Sequence, residues 1–173
     1  DNWMWETVYN VPLEEMMAVV DNAMANNYSI EWSTDVSEKG FDRIKAIGII
    51  PETDIDGMEG TEAEKWGKLS AAEKEAALYK FDKPVKEKKI TQEMRQQAFD
   101  NYETTDDHGM VIMGTATDQA GNRYFKVQNS WDVRPPYDGF WYFSRPFVEY
   151  KTTSIMVNKN ALPKETAKRL GLK

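Results

Sequence analysis

The sequence predicts an α+β fold, and three observations carry that reading. An amphipathic helix lies near the start. A charged, Ala-rich, helix-patterned stretch from about residue 53 to residue 102 follows. The remainder, from Asp107 to Asn158, alternates and breaks like antiparallel strands. Helices segregated from a run of strands define this class, as opposed to the alternating order of a parallel-sheet fold.

Between Pro12 and Asn26, Leu13, Met16, Met17, Val20 and Met24 recur at three- and four-residue steps, with Glu14, Glu15 and Asp21 on other faces. Pro12 suits the first turn of this helix and Asn26-Asn27 its stop. Tyr28 to Trp32 alternates and predicts a short strand; Asn27-Tyr28-Ser29 also fits a glycosylation sequon. In the 53–102 stretch, Thr61-x-x-Glu64 and Ser70-x-x-Glu73 read as capping boxes and Thr91 as the cap of a third helix through Met94, Ala98 and Phe99. With few large apolar residues between Ile50 and Ile90, this stretch predicts a helical insertion lying over a surface. Lys86-Glu-Lys-Lys89 reads as a solvated run of mixed charge. Gly109–Thr117, a turn at 118–122 and Arg123–Asn129 form a hairpin pattern. Strands at Gly139–Ser144 and Thr153–Asn158 follow, with loops holding Pro135-Pro136 and Pro146. A short helix from Lys164 to Leu170 stops at Gly171. The resulting division is a helical insertion at 53–102, a β-rich region at 103–158 and a tail at 159–173.

The chain has 173 residues, 40% of them hydrophobic and six of them Trp, enough apolar side chain for a core. A net charge of -7 and an isoelectric point near 4.9 argue against nucleic acid or an anionic membrane as partner. No apolar run approaches the length of a membrane span. Zero Cys excludes disulfides, thiolate metal sites and a thiol nucleophile within these residues, and one His disfavours a transition-metal site. The opening Asp1-Asn2-Trp3 is neither an initiating Met nor a signal peptide, which suggests a mature, cleaved or truncated product. Two minor patterns carry little. Asp54-Ile-Asp56-Gly57 starts like a calcium loop but has Glu59 where that loop needs Gly. Asp106-Asp107 are adjacent, point apart on an extended chain, and suit the turn before His108.

The hairpin has a geometric consequence. With its turn near Ala120, residues whose numbers sum to about 237–240 face each other, which sets His108 across from residues 129 to 132. A diagonal pair on one face is ~7–8 Å apart at the backbone, within reach of an imidazole and the Asn129 carboxamide. An Asn oxygen that accepts from one ring nitrogen leaves the other as a base, and Trp131, on the same face, could shield the bond. From residue types alone, a lone His before a strand is also an ordinary surface or locally satisfied side chain.

Thr105-Asp-Asp-His-Gly-Met110 and Val127-Gln-Asn-Ser-Trp131 resemble the His and Asn-Ser-Trp segments of papain-like cysteine peptidases. Four further segments resemble the bleomycin hydrolase/aminopeptidase C branch: Trp3-Met-Trp-Glu-Thr-Val-Tyr-Asn-Val-Pro12, Asp35-Val-Ser-Glu-Lys-Gly-Phe41, Glu93-Met-Arg-Gln-Gln-Ala-Phe-Asp-Asn-Tyr102 and Tyr137-Asp-Gly-Phe-Trp-Tyr142. The resemblance implies the papain-like cysteine proteinase fold, of which this is the C-terminal part, with a β-barrel-like antiparallel sheet and a helical insertion. It implies a Cys-His-Asn triad, with His108 as base and later acid, Asn129 orienting its ring and Trp131 covering their contact.

The nucleophilic Cys and the oxyanion-hole Gln of that family belong to an N-terminal segment absent from these residues. No Gly-x-Ser-x-Gly elbow replaces them, so the chain alone should be inactive. Gln128 and Asp132 depart from the Lys and Gly common in the related segment. An Asp132 carboxylate would either act on the imidazole or face solvent. By the same resemblance the substrate is a peptide, the partner is the Cys-bearing N-terminal segment, and no cofactor or metal is implied. The complete protein would form a homo-oligomer, a hexamer in relatives, cytoplasmic by resemblance with export left open. An apolar wall drawn from Trp131, Trp141, Tyr142 and Phe143 would face the absent segment, and Leu170-Gly-Leu-Lys173 would be the tail that enters the cleft. The competing reading is a non-catalytic binding or scaffold protein that keeps the His–Asn hairpin by descent.

Overall fold

The computed structural model describes residues 7–52, 60–133 and 136–172. The calcium-loop pattern at Asp54–Glu59 and the resemblance at residues 3–6 lie outside them. The first helix, α1 (Leu13–Ala25), begins on Pro12 and buries Leu13, Met16, Met17, Val19, Val20 and Ala23. It stops where Asn27 takes a left-handed φ of 60°. That conformation turns the Tyr28 N–H back onto the Ala23 carbonyl at 2.9 Å, closing the helix end as a C-terminal cap does.

Among the described residues, seven strands form one sheet: β1 (Ile30–Thr34), β2 (Phe41–Asp42), β3 (Ile47–Gly48), β4 (His108–Thr117), β5 (Arg123–Gln128), β6 (Phe140–Ser144) and β7 (Thr152–Val157). Their order is β2-β3-β6-β5-β4-β1-β7, antiparallel throughout except for β3 beside β6. Strand alternation sets one face: Ile30 and Trp32 of β1, Met110 and Ile112 of β4, Phe125 and Val127 of β5 and Trp141 and Phe143 of β6 all join the core with α1. In the β4–β5 turn the Asp118 carboxylate accepts from the Ala120 and Asn122 N–H groups, and Gly121 supplies a φ of +85°.

The middle of the chain holds α2 (Gly60–Gly67), α3 (Ala71–Leu78) and α4 (Gln92–Asp100). The Ser70–Glu73 capping box forms in full, and α3 has no buried residue, as befits a helix lying on the surface. Thr91 caps α4 through the Met94 N–H. Thr61 lies inside α2, so its proposed cap is corrected. The solvated reading of residues 86–89 holds for Lys86 and Lys89, which are exposed, and is corrected at Glu87. Pro51 and Glu87 form an isolated bridge, and the Glu87 carboxylate turns inward to accept from the Ile50 N–H at 2.7 Å and the Ser144 hydroxyl at 2.5 Å.

Two further features differ from the sequence reading. The Pro146 loop is a helix, α5 (Arg145–Lys151), because Ser144 caps it through the Phe147 N–H and Pro146 occupies the first turn, where no N–H is missed. The short β2–β3 hairpin occupies the chain before residue 50, with Gly48 so close to the Phe143 ring that a Cβ there would stand 2.3 Å from it. At the end of the chain α6 (Lys164–Arg169) forms as read, Gly171 takes a φ of +68°, and Arg169 pairs with Glu15 of α1.

Candidate active site

His108 is the first residue of β4 and pairs with Thr34 of β1. The chain before it is stitched to residues 34–38. The Asp107 N–H donates to the Thr34 carbonyl at 3.3 Å, and the Asp107 carboxylate accepts from the Val36 N–H and the Ser37 hydroxyl. Asp35 takes the Thr105 N–H at 2.8 Å. Beneath this stitching sits Lys151, only 3% exposed. Its ammonium donates to the Glu103 carbonyl at 3.0 Å and the Thr104 hydroxyl at 3.1 Å and pairs with Glu38. Burial pushes the Glu38 carboxyl up against the opposing pull of Lys151.

The β4–β5 register runs Ile112↔Val127 and Val111↔Gln128, with a one-residue irregularity at Met113. Continued to the ends of the strands, it sets Met110 opposite Asn129 and His108 diagonal to it on the core face. There Asn129 Oδ1 accepts from His108 Nε2 at 2.8 Å. A carboxamide oxygen only accepts, so the bond fixes the proton on Nε2 and leaves Nδ1 bare in the neutral ring. Asn129 is 8% exposed; its N–H donates to the Gly139 carbonyl at 3.3 Å, where Gly139 holds a φ of +84°. Among the described residues the Asn129 Nδ2 has no hydrogen-bond partner.

Trp131 completes the group. Its ring lies 4.5 Å from the His108 ring at a tilt of 40°, and it meets Phe41 and Trp141 edge-on at 5.9 and 5.7 Å. His108, Asn129 and Trp131 are therefore brought together. Of the anticipated apolar wall, Trp141 and Phe143 are core, with Phe143 wholly enclosed, whereas Tyr142 and Trp131 are half-buried. The Asp132 side chain is exposed and accepts from the Val133 N–H at 3.0 Å; Gln128 faces outward from the other side of the sheet. Sequence reading missed Phe41 and Arg43. The Arg43 guanidinium lies 4.4 Å from the Trp131 ring centroid, and nothing in the local pattern of residues 41–43 marks a contact so far along the chain.

Fold and geometry together define a papain-like α+β unit with an imidazole–carboxamide pair at the mouth of its hairpin. A family model described as the Peptidase C1-like family matches residues 57–172, and the chain belongs to that family. A similar solved structure is that of PepW from Lactobacillus rhamnosis HN001 (DR20), with a TM-score of 0.57 and 16% sequence identity over 92% of this chain. The chain spans 30% of the length of that protein. No curated protein matches the sequence.

Proposed function

We propose that this chain is the His/Asn-bearing portion of a cysteine-type aminopeptidase of the bleomycin hydrolase kind, and that the thiol nucleophile comes from a segment outside these 173 residues. The carrying observation is the 2.8 Å bond from His108 Nε2 to Asn129 Oδ1, which leaves Nδ1 as the one ring nitrogen able to take a proton. In the reaction, Nδ1 takes the thiol proton. The thiolate adds to the peptide carbonyl, and the imidazolium returns the proton to the departing amine as the C–N bond breaks and an acyl-enzyme forms. Water, deprotonated by the same nitrogen, then releases the acid and regenerates the thiol. Asn129 keeps the ring in register through both half-reactions, and Trp131 keeps water from the bond that does so. The absence of any Cys makes the chain inactive alone. The complete protein is a homo-oligomer, a hexamer by resemblance, with Leu170-Gly-Leu-Lys173 as the tail that enters its cleft.

The test is to combine the chain with the Cys-bearing segment, in one polypeptide or as two, and to follow hydrolysis of aminoacyl amides beside amino-terminally blocked peptides. Hydrolysis of unblocked substrates only, abolished by thiol alkylation and by His108→Ala, supports the reading. Cleavage of blocked peptides would replace the aminopeptidase by an endopeptidase. No hydrolysis by the folded combination would favour a binding or scaffold protein.

A further inference from the structure

Trp131 follows Asn129 in a loop where Asp132 takes a φ of 32° and Val133 is exposed, beyond the hydrogen-bonded ladder of β5. A half-buried indole in such a segment needs support from elsewhere to hold one rotamer. That support comes from β2 and the turn after it. Phe41 stacks on Trp141 at 4.7 Å and presents its ring to the edge of Trp131. Two residues on, Arg43 sets its guanidinium carbon 4.4 Å from the Trp131 ring centroid. The turn that delivers Arg43 is fixed by Asp42, whose carboxylate accepts from the Ile44 and Lys45 N–H groups at 2.8 and 2.9 Å. Among the described residues, the Arg43 guanidinium has neither an ion pair nor a hydrogen bond, although the chain carries a net charge of -7. The indole is thus its ordered partner, and a planar, weakly hydrated guanidinium on an indole is the favourable form of this contact.

We propose that Arg43 is a positioning residue for His108: by stacking on Trp131 it holds the indole against the imidazole and keeps water from the Nε2–H bond to Asn129. This rests on the reading of His108 as the base, since a wetted bond would loosen the ring that must present Nδ1 to the thiol. Arg43 touches no reacting atom and acts through Trp131.

His108 is the only imidazole in the chain, so its ring nitrogens give one unambiguous set of nitrogen-detected NMR signals in the full 173-residue chain. The rate at which the Nε2 proton exchanges with water is the measurement. For Arg43→Ala the exchange should rise about two- to fivefold, the factor expected on losing an exposed cation–indole contact. Arg43→Lys, which keeps the charge without the plane, should fall between. In a Trp131→Ala background, Arg43→Ala should add nothing. An unchanged exchange rate in Arg43→Ala, with the amide spectrum of the folded chain intact, would overturn the proposal. An equal rise with and without Trp131 would also overturn it. The readout needs no thiol, so it fails or succeeds independently of peptide hydrolysis by the complete protein.

Discussion

His108 and Asn129 meet at 2.8 Å as diagonal neighbours of the β4–β5 hairpin, and the diagonal is what turns two core-facing positions into an oriented pair. The diagonal Asn129 reaches the far ring nitrogen, Nε2, while Trp131, which the continued register sets opposite His108, lies against the ring at 4.5 Å. Replacing Asn129 with Ala removes the only acceptor that the structure offers this nitrogen among the described residues. The Nε2 proton should then exchange with water about two- to thirteenfold faster, in line with a net hydrogen-bond worth of about 0.5–1.5 kcal/mol. The same NMR measurement on His108 checks it, and an unaltered rate would mean that the bond does not hold the ring.

Glu87 should make the chain less stable as pH rises through neutrality. Desolvation between the Pro51 segment and the start of α5 pushes its carboxyl up to about 7, against the lowering pull of the Ser144 hydroxyl and the Ile50 N–H; Asp118 and Glu149 push further in the raising direction. The folded state therefore holds this proton more tightly than the unfolded chain does. Its contribution is full below about pH 4.5 and is lost as pH rises toward and through 7. With each tenfold change in proton affinity worth about 1.4 kcal/mol, the loss is at most about 3–4 kcal/mol. Gln at this position keeps an oxygen for both donors and carries no charge. Urea midpoints at pH 5 and pH 8 should thus differ less for Glu87→Gln than for the native chain, with the variant the more stable at pH 8.

Lys151 should be among the costliest polar side chains to remove. It is 3% exposed, and its ammonium holds Glu103, Thr104 and Glu38 together under the segment that leads into His108. Lys151→Ala would leave Glu38 without its counter-charge and two oxygens without their donor, a loss of about 3–5 kcal/mol for a buried pair broken on one side. Glu38→Gln, which keeps an acceptor, should cost less. Denaturant titration of the two variants gives the comparison; a smaller loss for Lys151→Ala than for Glu38→Gln would contradict the arrangement.

The candidate site was legible in the sequence to the extent that it is local. His108 and Asn129 belong to one hairpin, whose turn is fixed by Asp118 and Gly121, and a strand period of two then decides which side chains share a face. α1 and α6 were legible for the same reason: each carries its own apolar stripe or its own stop signal. What supports Trp131 was not legible. Phe41 and Arg43 reach it through two-residue strands, too short to show any alternation, whose neighbour β6 lies far along the chain. Helix α5 was hidden by Pro146, which breaks a helix interior but starts one when a Ser precedes its first turn. Glu87 was hidden by lysines on both sides, because a mixed-charge run has the same composition whether or not one member turns inward.

Gly40 gives the last prediction, and it joins backbone packing to the site. A Cβ at this position would stand 2.0 Å from the Ile49 carbonyl oxygen, the neighbour of an N–H that itself donates to the Gly40 carbonyl at 2.9 Å. Backbone cannot swing away as a side-chain end can, so Gly40→Ala must push the two segments apart. Overpacking of this kind costs about 1–3 kcal/mol. The displacement passes directly to Phe41, and through Phe41 to the edge of Trp131. Gly40→Ala should therefore both lower the urea midpoint and speed exchange of the His108 Nε2 proton. Gly67→Ala is the contrast, since a Cβ there meets nothing within 4 Å; it should leave the exchange rate unchanged and stability equal or slightly higher, as Ala favours a helix over Gly by up to about 1 kcal/mol. If Gly40→Ala lowered stability while the His108 signal kept its native exchange rate, the β2–β3 hairpin would be packing for the core alone and not for the imidazole.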